Sequence, residues 1–339
     1  MKIFYSEAHR NHYPSFEVFD GGLRVPYLEN PDRMDRILNA LHNVDWADVR
    51  EPTDFGLDPI TAVHDKEYVD FLASAWTEWL GTAAKDKSTL IPATFALRRH
   101  PQKPKSLLGK AGYYIMDLSA CIVEATFQAA LASANCALSA AEAVANGEHA
   151  AFGLCRPPGH HAGKDYAGGY CFINNAAVAA NWLSSKGKVA LLDIDYHCGN
   201  GTQDIFYDRD DVLTISIHAD PDFEYPHYAG FANETGSGNG LGYHHNFPLP
   251  AKTEDEAYLK TLGDALELIR NYKPEYLVIS AGMDIYADDP LGTIRVTTDG
   301  IGEIGKRIAA LSLPTVIVME GGYNNDALGR NVVTFLENF

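Results

Sequence analysis

The stretch Val189-Ala190-Leu191-Leu192-Asp193-Ile194-Asp195-Tyr196-His197 decides the fold. Its apolar run has the length of a buried strand, and strands buried on both faces belong to parallel sheets covered by helices. Read as one strand through its end, it alternates sides with period two, placing Asp193, Asp195 and His197 on a common face. Two carboxylates and an imidazole ending a buried strand need a cation or hydrogen-bond partners to offset their desolvation. Gly199-Asn200-Gly201-Thr202 follows, a turn composition that lets backbone crowd against a site. A plain hydrogen-bonded Asp/His cluster closing the strand is the alternative at this point.

Working outward, apolar runs at 2–5, 150–154, 212–218, 276–281 and 315–319 read as further strands. Met34, Ile37, Leu38 and Leu41 repeat at i, i+3, i+4, i+7 and predict a helix from Asp32, with Pro31 well placed at its start. Helices are also predicted after His64-Asp65 and over 124–146, 174–184, 254–272 and 299–311. Strand and helix in alternation predict an α/β fold with a parallel sheet. No linker or repeat divides the chain, so residues 1–339 form one expected domain. Residues 13–31, with Pro14, Pro26, Pro31 and Gly21-Gly22, read as a loop containing Glu17. Residues 85–112 read as irregular, with the cluster Arg98-Arg99-His100, yet Leu90, Ile91, Phe95, Leu97, Leu107 and Leu108 suit packing against a surface.

The chain has 339 residues, 46% of them hydrophobic, enough for a sizeable core. Lys and Arg total 27 against 45 Asp and Glu, a formal charge of −18, which disfavours nucleic acid as a partner and favours cationic ligands. No run approaches the ~20 apolar residues of a membrane span, and the N-terminus lacks the apolar stretch of a signal peptide. A cytoplasmic protein without a membrane partner is expected. The five cysteines contain no CxxC, which argues against a disulfide framework and a thiolate zinc site.

Sites in open parallel sheets form beyond the C-terminal strand ends. That rule gathers His160-His161, Asp195 with His197, Asp284 after Ser280-Ala281-Gly282-Met283, and Tyr323 after Glu320-Gly321-Gly322. Asp195, His197 and Asp284 make an N/O metal site whose three protein ligands leave a position open for water. Such ligands suit Zn2+, and also Fe2+ or Co2+. His160 and His161 suit general acid/base work near neutral pH, with Asp193 and Asn200 as candidates for fixing their tautomers. Tyr323 suits donation to a developing oxyanion.

Six motifs run in one order along the chain. They are Arg156-Pro157-Pro158-Gly159-His160-His161-Ala162, Gly168-Gly169-Tyr170-Cys171-Phe172-Ile173-Asn174-Asn175, Asp193-Ile194-Asp195-Tyr196-His197, Gly199-Asn200-Gly201-Thr202, Asp284 with Asp289-Pro290-Leu291-Gly292, and Glu320-Gly321-Gly322-Tyr323. Together they resemble the arginase–deacetylase superfamily on its histone deacetylase side. The resemblance implies a doubly wound domain around an eight-stranded parallel sheet, with zinc on Asp195, His197 and Asp284. It assigns His161, held by Asn200, as general base and acid, and makes His160, held by Asp193, mainly electrostatic. Tyr323 would polarise the acetyl carbonyl. Gly169, Tyr170, Tyr225 and Leu291 would line the substrate tunnel. A structural K+ is implied on Asp193 and the Ser216 hydroxyl, with backbone oxygens of Asp195, His197 and Ile217.

Within that family the short N-terminus, Glu17, and the 85–112 insertion leading into Gly112-Tyr113-Tyr114 resemble the bacterial acetylpolyamine amidohydrolases. This implies a homodimer whose interface narrows the channel, with Glu17 facing a ligand's cationic end. It implies hydrolysis of small acetylated amines to free amine and acetate. The alternatives are deacetylation of acetyl-lysine peptides and, less favoured, a non-catalytic homologue that binds acetylated ligands. Two departures stand out. Cys198 occupies a position where the family carries His, and Leu108 and Ser119 occupy positions where the polyamine enzymes carry acids. Fewer carboxylates imply a short acetylated diamine, acetylputrescine or acetylcadaverine, in preference to acetylspermine.

Overall fold

A computed structural model describes residues 1–19, 22–84, 87–96 and 102–339. Gly21, Leu97 and the Arg98-Arg99-His100 cluster lie outside the described residues.

In chain order the elements begin with β1 (Lys2–Phe4), β2 (Glu17–Phe19), β3 (Leu23–Val25), α1 (Asp32–Leu41), β4 (Asp48–Arg50), α2 (Asp58–Thr61), α3 (Lys66–Leu80) and α4 (Leu107–Tyr114). Then come α5 (Thr126–Ala145), β5 (Ala150–Gly153), α6 (Asn175–Ser184), β6 (Val189–Asp193), α7 (Asn200–Phe206), β7 (Val212–Ala219) and β8 (His244–Leu249). The chain closes with α8 (Asp255–Tyr272), β9 (Tyr276–Ala281), α9 (Thr298–Ala309), β10 (Thr315–Met319) and α10 (Leu328–Leu336).

Eight strands form one sheet in the order β4-β1-β5-β10-β9-β6-β7-β8, and every pairing in it is parallel. Period-two alternation splits its side chains between two cores. Val189, Leu191, Val278, Val316 and Val318 join the face covered by α3, α5 and α6. Ala190, Leu192, Leu277, Ile279, Ile317 and Met319 join the face covered by α1, α8, α9 and α10. The expected α/β domain with its eight-stranded parallel sheet is therefore what the chain forms.

The chain leaves β5 for β6, three places away, and later fills the gap with β9 and β10. The C-terminal ends of these four strands consequently meet beside one crevice. Asp193 stands opposite Ser280 on one side and Ser216 on the other, so strand register fixes the depth of the site.

Three expectations need correction. β6 ends at Asp193, and Asp195 and His197 lie in the loop beyond it, so strand alternation does not bring the three together. What does is a repeated local bond. The Asp195 N–H donates to Asp193 Oδ1 at 3.0 Å and the His197 N–H to Asp195 Oδ1 at 2.9 Å, each carboxylate reaching two residues on. Residues 13–31 are not wholly loop, because β2 and β3 pair antiparallel with Glu17 opposite Val25. The 85–112 segment ends in helix: Ser106 caps α4 by accepting from the Gly109 N–H at 3.2 Å.

Candidate active site and metal centre

His160 and His161 follow β5 through a turn held from two sides. The Arg156 guanidinium donates to Glu29 Oε1 at 2.9 Å and to the carbonyls of His9, His12 and Glu29 at 2.7–2.8 Å. Glu320, just past β10, accepts from the N–H groups of Gly159 at 2.6 Å and His160 at 3.3 Å. The turn is thus bonded to its neighbouring strand end, and both imidazoles are buried.

These adjacent histidines have opposite charge preferences. His160 Nδ1 lies 2.9 Å from Asp193 Oδ2 and Nε2 lies 3.6 Å from Asp195 Oδ1. Burial opposes its charge, but Asp195 and Asp193 outweigh burial and hold it well above the usual imidazole range. His161 is pushed well below that range by burial, then by His160 and His197. Its Nδ1 lies 2.7 Å from the Asn200 side-chain oxygen Oδ1, which fixes the Nδ1–H tautomer and leaves the Nε2 lone pair free. One charged and one neutral histidine, side by side, are suited to separate electrostatic and proton-transfer roles.

Asp195, His197 and Asp284 bring one ligand atom each to within 4.8 Å of one another. His197 Nδ1 is 3.4 Å from Asp195 Oδ1 and 3.3 Å from Asp284 Oδ2. Asp284 Oδ1 accepts from the Tyr196 N–H at 2.9 Å, while its buried Oδ2 has no hydrogen-bond partner. Burial, then the Asp195 charge, raises the Asp284 carboxyl above its ordinary range. An orphaned carboxylate oxygen beside an imidazole and a second carboxylate is a cation's place, and the donor set fits a divalent ion. A Cβ at Gly321 would stand 2.3 Å from Asp284 Oδ2, so only glycine lets the backbone close this floor.

Tyr323 projects from the loop after β10. Asp289 Oδ2 accepts from the N–H groups of Tyr323 at 2.7 Å and Asn324 at 3.0 Å, and Oδ1 accepts from Leu291 at 3.0 Å. The buried Arg33 guanidinium donates to the Gly322 carbonyl at 2.7 Å and the Glu320 carbonyl at 2.6 Å, and it lies 4.9 Å from the Tyr323 ring centre. Burial keeps the Tyr323 phenol well above its ordinary range, so it remains a proton donor.

The residues expected to line the tunnel lie near His161 and Tyr323. Tyr170 packs near Tyr323, with ring centres 5.8 Å apart, and Leu291 packs against the same cluster. The Tyr225 ring stands edge-on to His161 at 4.9 Å. Gly169 backs onto His161 so closely that a Cβ would meet its Cδ2 at 2.2 Å. Glu17 is placed differently from expectation. It is fully buried, accepting from the Leu28 N–H and the Tyr170 hydroxyl, both at 2.7 Å. Leu108 is exposed on α4, and the Ser119 N–H donates to Asp117.

Cys198 does not join the metal-ligand cluster. It is buried, and burial pushes its thiol well above the ordinary range. A Cβ at Gly230 would meet its sulfur at 2.9 Å and His218 Nε2 at 2.7 Å, so a small neutral side chain is what this corner holds. Ser216, expected on potassium, lies 2.7 Å from His218 Nδ1, and Ile217 is buried within β7.

Sequence reasoning passed over the groups that hold the site from behind: Arg33, Glu29, Asp289 and Glu320. Glu29 and Arg33 are four residues apart and both are fully buried, with Arg33 donating to Glu29 at 2.7 Å. An acid and a base at helical spacing beside the apolar stripe of α1 were the available signal. Asp289 and Glu320 lie within two of the six motifs, where sequence alone assigns them no role.

The histone deacetylase domain family matches residues 27–339. Acetylpolyamine amidohydrolase 1 of Pseudomonas aeruginosa is 46% identical over 344 residues, covering 100% of this chain and 99% of that protein. Acetylpolyamine amidohydrolase of Mycoplana ramosa is 42% identical, covering 99% of each. The crystal structure of acetylpolyamine aminohydrolase from Burkholderia pseudomallei superimposes with a TM-score of 0.96 at 43% identity, covering 100% of this chain and 98% of that one. With the family matched over most of its length and these relatives aligned end to end, the chain belongs to the histone deacetylase family.

Proposed function

We propose that this protein is a zinc-dependent amidohydrolase that removes the acetyl group from small cationic amines, acetylpolyamines or short acetylated diamines, giving acetate and the free amine. The observation that carries this reading is the orphaned Asp284 Oδ2, converging with His197 and Asp195 beside a neutral His161. Asp195, His197 and Asp284 would hold the zinc, which would supply Lewis-acid polarisation of the acetyl carbonyl and acidify the attacking water. His161 Nε2 takes the proton from that water and passes it to the leaving amine. Asn200 keeps the ring in the tautomer that can do so. Charged His160 stabilises the negative charge that develops, and the Tyr323 hydroxyl donates to the oxyanion. Tyr170 and Tyr225 flank the alkyl chain and exclude water.

A potassium ion on Asp193 and Ser216 is part of this reading, supported by the burial of the Asp193 carboxylate at a strand end. So is a homodimer formed through the 85–112 insertion and the β2–β3 hairpin, supported by the exposure of Leu23, Phe95 and Leu108 there. Among the described residues no helix is long and apolar enough to cross a membrane, in keeping with a cytoplasmic enzyme.

The test is acetate release by zinc-loaded protein from acetylputrescine, acetylcadaverine, acetylspermine and an acetyl-lysine peptide. Fast release from the acetylamines with little from the peptide is the expected result. Preference for the peptide assigns the protein to lysine deacetylation, and no release from any substrate removes the hydrolytic reading.

A further inference from the structure

Asp117 is half-buried in the segment between α4 and α5, outside the catalytic cluster. Its Oδ1 accepts from the N–H groups of Ser119 at 3.0 Å and Ala120 at 3.1 Å. Its Oδ2 accepts from the Gly169 N–H at 2.6 Å and from the Tyr225 hydroxyl at 2.7 Å. A carboxylate has about four acceptor sites, and here all are used by the chain itself. The segment is also locked in register with the loop it holds. The Ala167 N–H donates to the Tyr114 carbonyl at 2.7 Å and the Met116 N–H to the Ala167 carbonyl at 2.9 Å.

The two groups on Oδ2 are the two surfaces that enclose His161. Gly169 backs onto the imidazole within contact distance, and the Tyr225 ring meets it edge-on at 4.9 Å. Gly169 and Tyr170 have successive left-handed backbones, φ 51° and 68°. For Tyr170 that conformation is unfavourable and must be held from outside. Asp117 holds it at the Gly169 N–H, and Glu17 holds it at the Tyr170 hydroxyl. A continuous line of bonds therefore runs Glu17–Tyr170–Gly169–Asp117–Tyr225, linking one aromatic wall to the other.

We propose that Asp117 is a positioning residue that fixes the width of the substrate channel and the seat of His161, by bracing the Tyr225 hydroxyl to the Gly169 backbone. The inference deepens the acetylamine reading and rests on it for its substrate. The brace admits a slender, unbranched acetylated amine and resists the opening that a branched one requires. It also sets Asp117 apart from an ammonium anchor, since no lone pair of its carboxylate remains for a ligand.

Tyr225→Phe keeps the aromatic wall and removes the strap. For acetylputrescine it raises KM about 3- to 10-fold with kcat changed less than twofold. The preference for acetylputrescine over N-acetyl-lysine amide falls by a similar factor. Asp117→Asn lowers kcat as well, because the Gly169 backing of His161 loosens. In the Asp117→Asn background, adding Tyr225→Phe changes nothing further. Equal effects of Tyr225→Phe in both backgrounds overturn the brace. A lower KM for the diamine in Tyr225→Phe also overturns it, by showing that the freed carboxylate oxygen binds ammonium.

A second measurement is independent of activity. In protein labelled with 3-fluorotyrosine, the Tyr225 fluorine resonance is assigned by its loss in Tyr225→Phe. Asp117→Asn must shift or broaden that resonance, and an unmoved line overturns the proposal even if no acetylamine is hydrolysed. Failure of the acetylamine reading shows separately, as absent acetate release by the wild type.

Discussion

The floor of the site and its walls both rest on carboxylates, bonded in opposite ways. On the floor, Asp284 keeps one buried oxygen without a partner, and His197 approaches Asp284 and Asp195 only to 3.3–3.4 Å. In the walls, each oxygen of Glu17 and Asp117 is met by a donor of the chain at 3.1 Å or less. The floor leaves a buried oxygen open to a guest cation, whereas the walls satisfy their carboxylates from the chain itself. Their origins differ too. The floor hangs from parallel strand ends in fixed register, and the walls come from segments outside the large sheet.

Breaking the floor has the largest expected effect. Asp284→Asn keeps the shape but weakens a charged ligand, so zinc content measured after dialysis falls below a tenth of the wild-type value. Acetate release falls by at least ~10³-fold, since removing a metal that acidifies water removes most of the rate. Glu17→Gln, the matching change in a wall, leaves zinc content untouched. Equal zinc loss in both variants would erase the distinction between floor and walls.

Tyr323→Phe comes next. The phenol that burial keeps protonated is the proposed oxyanion donor, and loss of one such donor lowers kcat by about 10²–10³-fold. Zinc content and melting temperature stay as in the wild type. A kcat within threefold of wild type removes Tyr323 from the mechanism. Asp289→Ala tests how floor and walls are joined, because its carboxylate holds both the Tyr323 and Leu291 backbones. It lowers kcat by roughly 10-fold, in line with a misplaced donor, and Asp289→Asn restores part of the loss. No recovery in Asn and an unchanged kcat in Ala would each refute that role.

The floor was legible in the sequence for a reason that also explains what was missed. Its residues lie in loops that follow apolar strands, and such strands announce themselves by composition; β9 and β10 appear with the predicted bounds. Within the large sheet the strands that escaped, β4 and β8, are its two edges and carry Asp48, Arg50, His244, His245 and Asn246, where polar residues erase the apolar run. Strand alternation grouped Asp193, Asp195 and His197, and the structure joins them by side-chain-to-backbone bonds that mimic a period of two. The walls were harder. Whether Glu17 faces solvent or a tyrosine depends on contacts 153 residues away in sequence, which no local pattern encodes.

The smallest effect separates the two uses of a carboxylate by pH. Burial raises the Glu17 carboxyl from its ordinary 4.5 to about 7, against the Tyr170 and Leu28 hydrogen bonds that favour its ionised form. Between those values the folded chain holds a proton that the unfolded chain has released. The stability contributed by neutral Glu17 is therefore complete below about 4.5 and is lost as pH rises through about 7. Gln stays neutral throughout, so Glu17→Gln loses none of it. The melting temperature of the variant relative to wild type must rise between pH 5 and pH 8. The rise is on the order of 5 °C, because each tenfold difference in proton affinity between folded and unfolded chain is worth ~1.4 kcal/mol. A difference that is flat with pH, or that falls, would mean that Glu17 is ionised in the folded protein. Glu17 would then belong with the floor acids, as a carboxylate held ready for a cation.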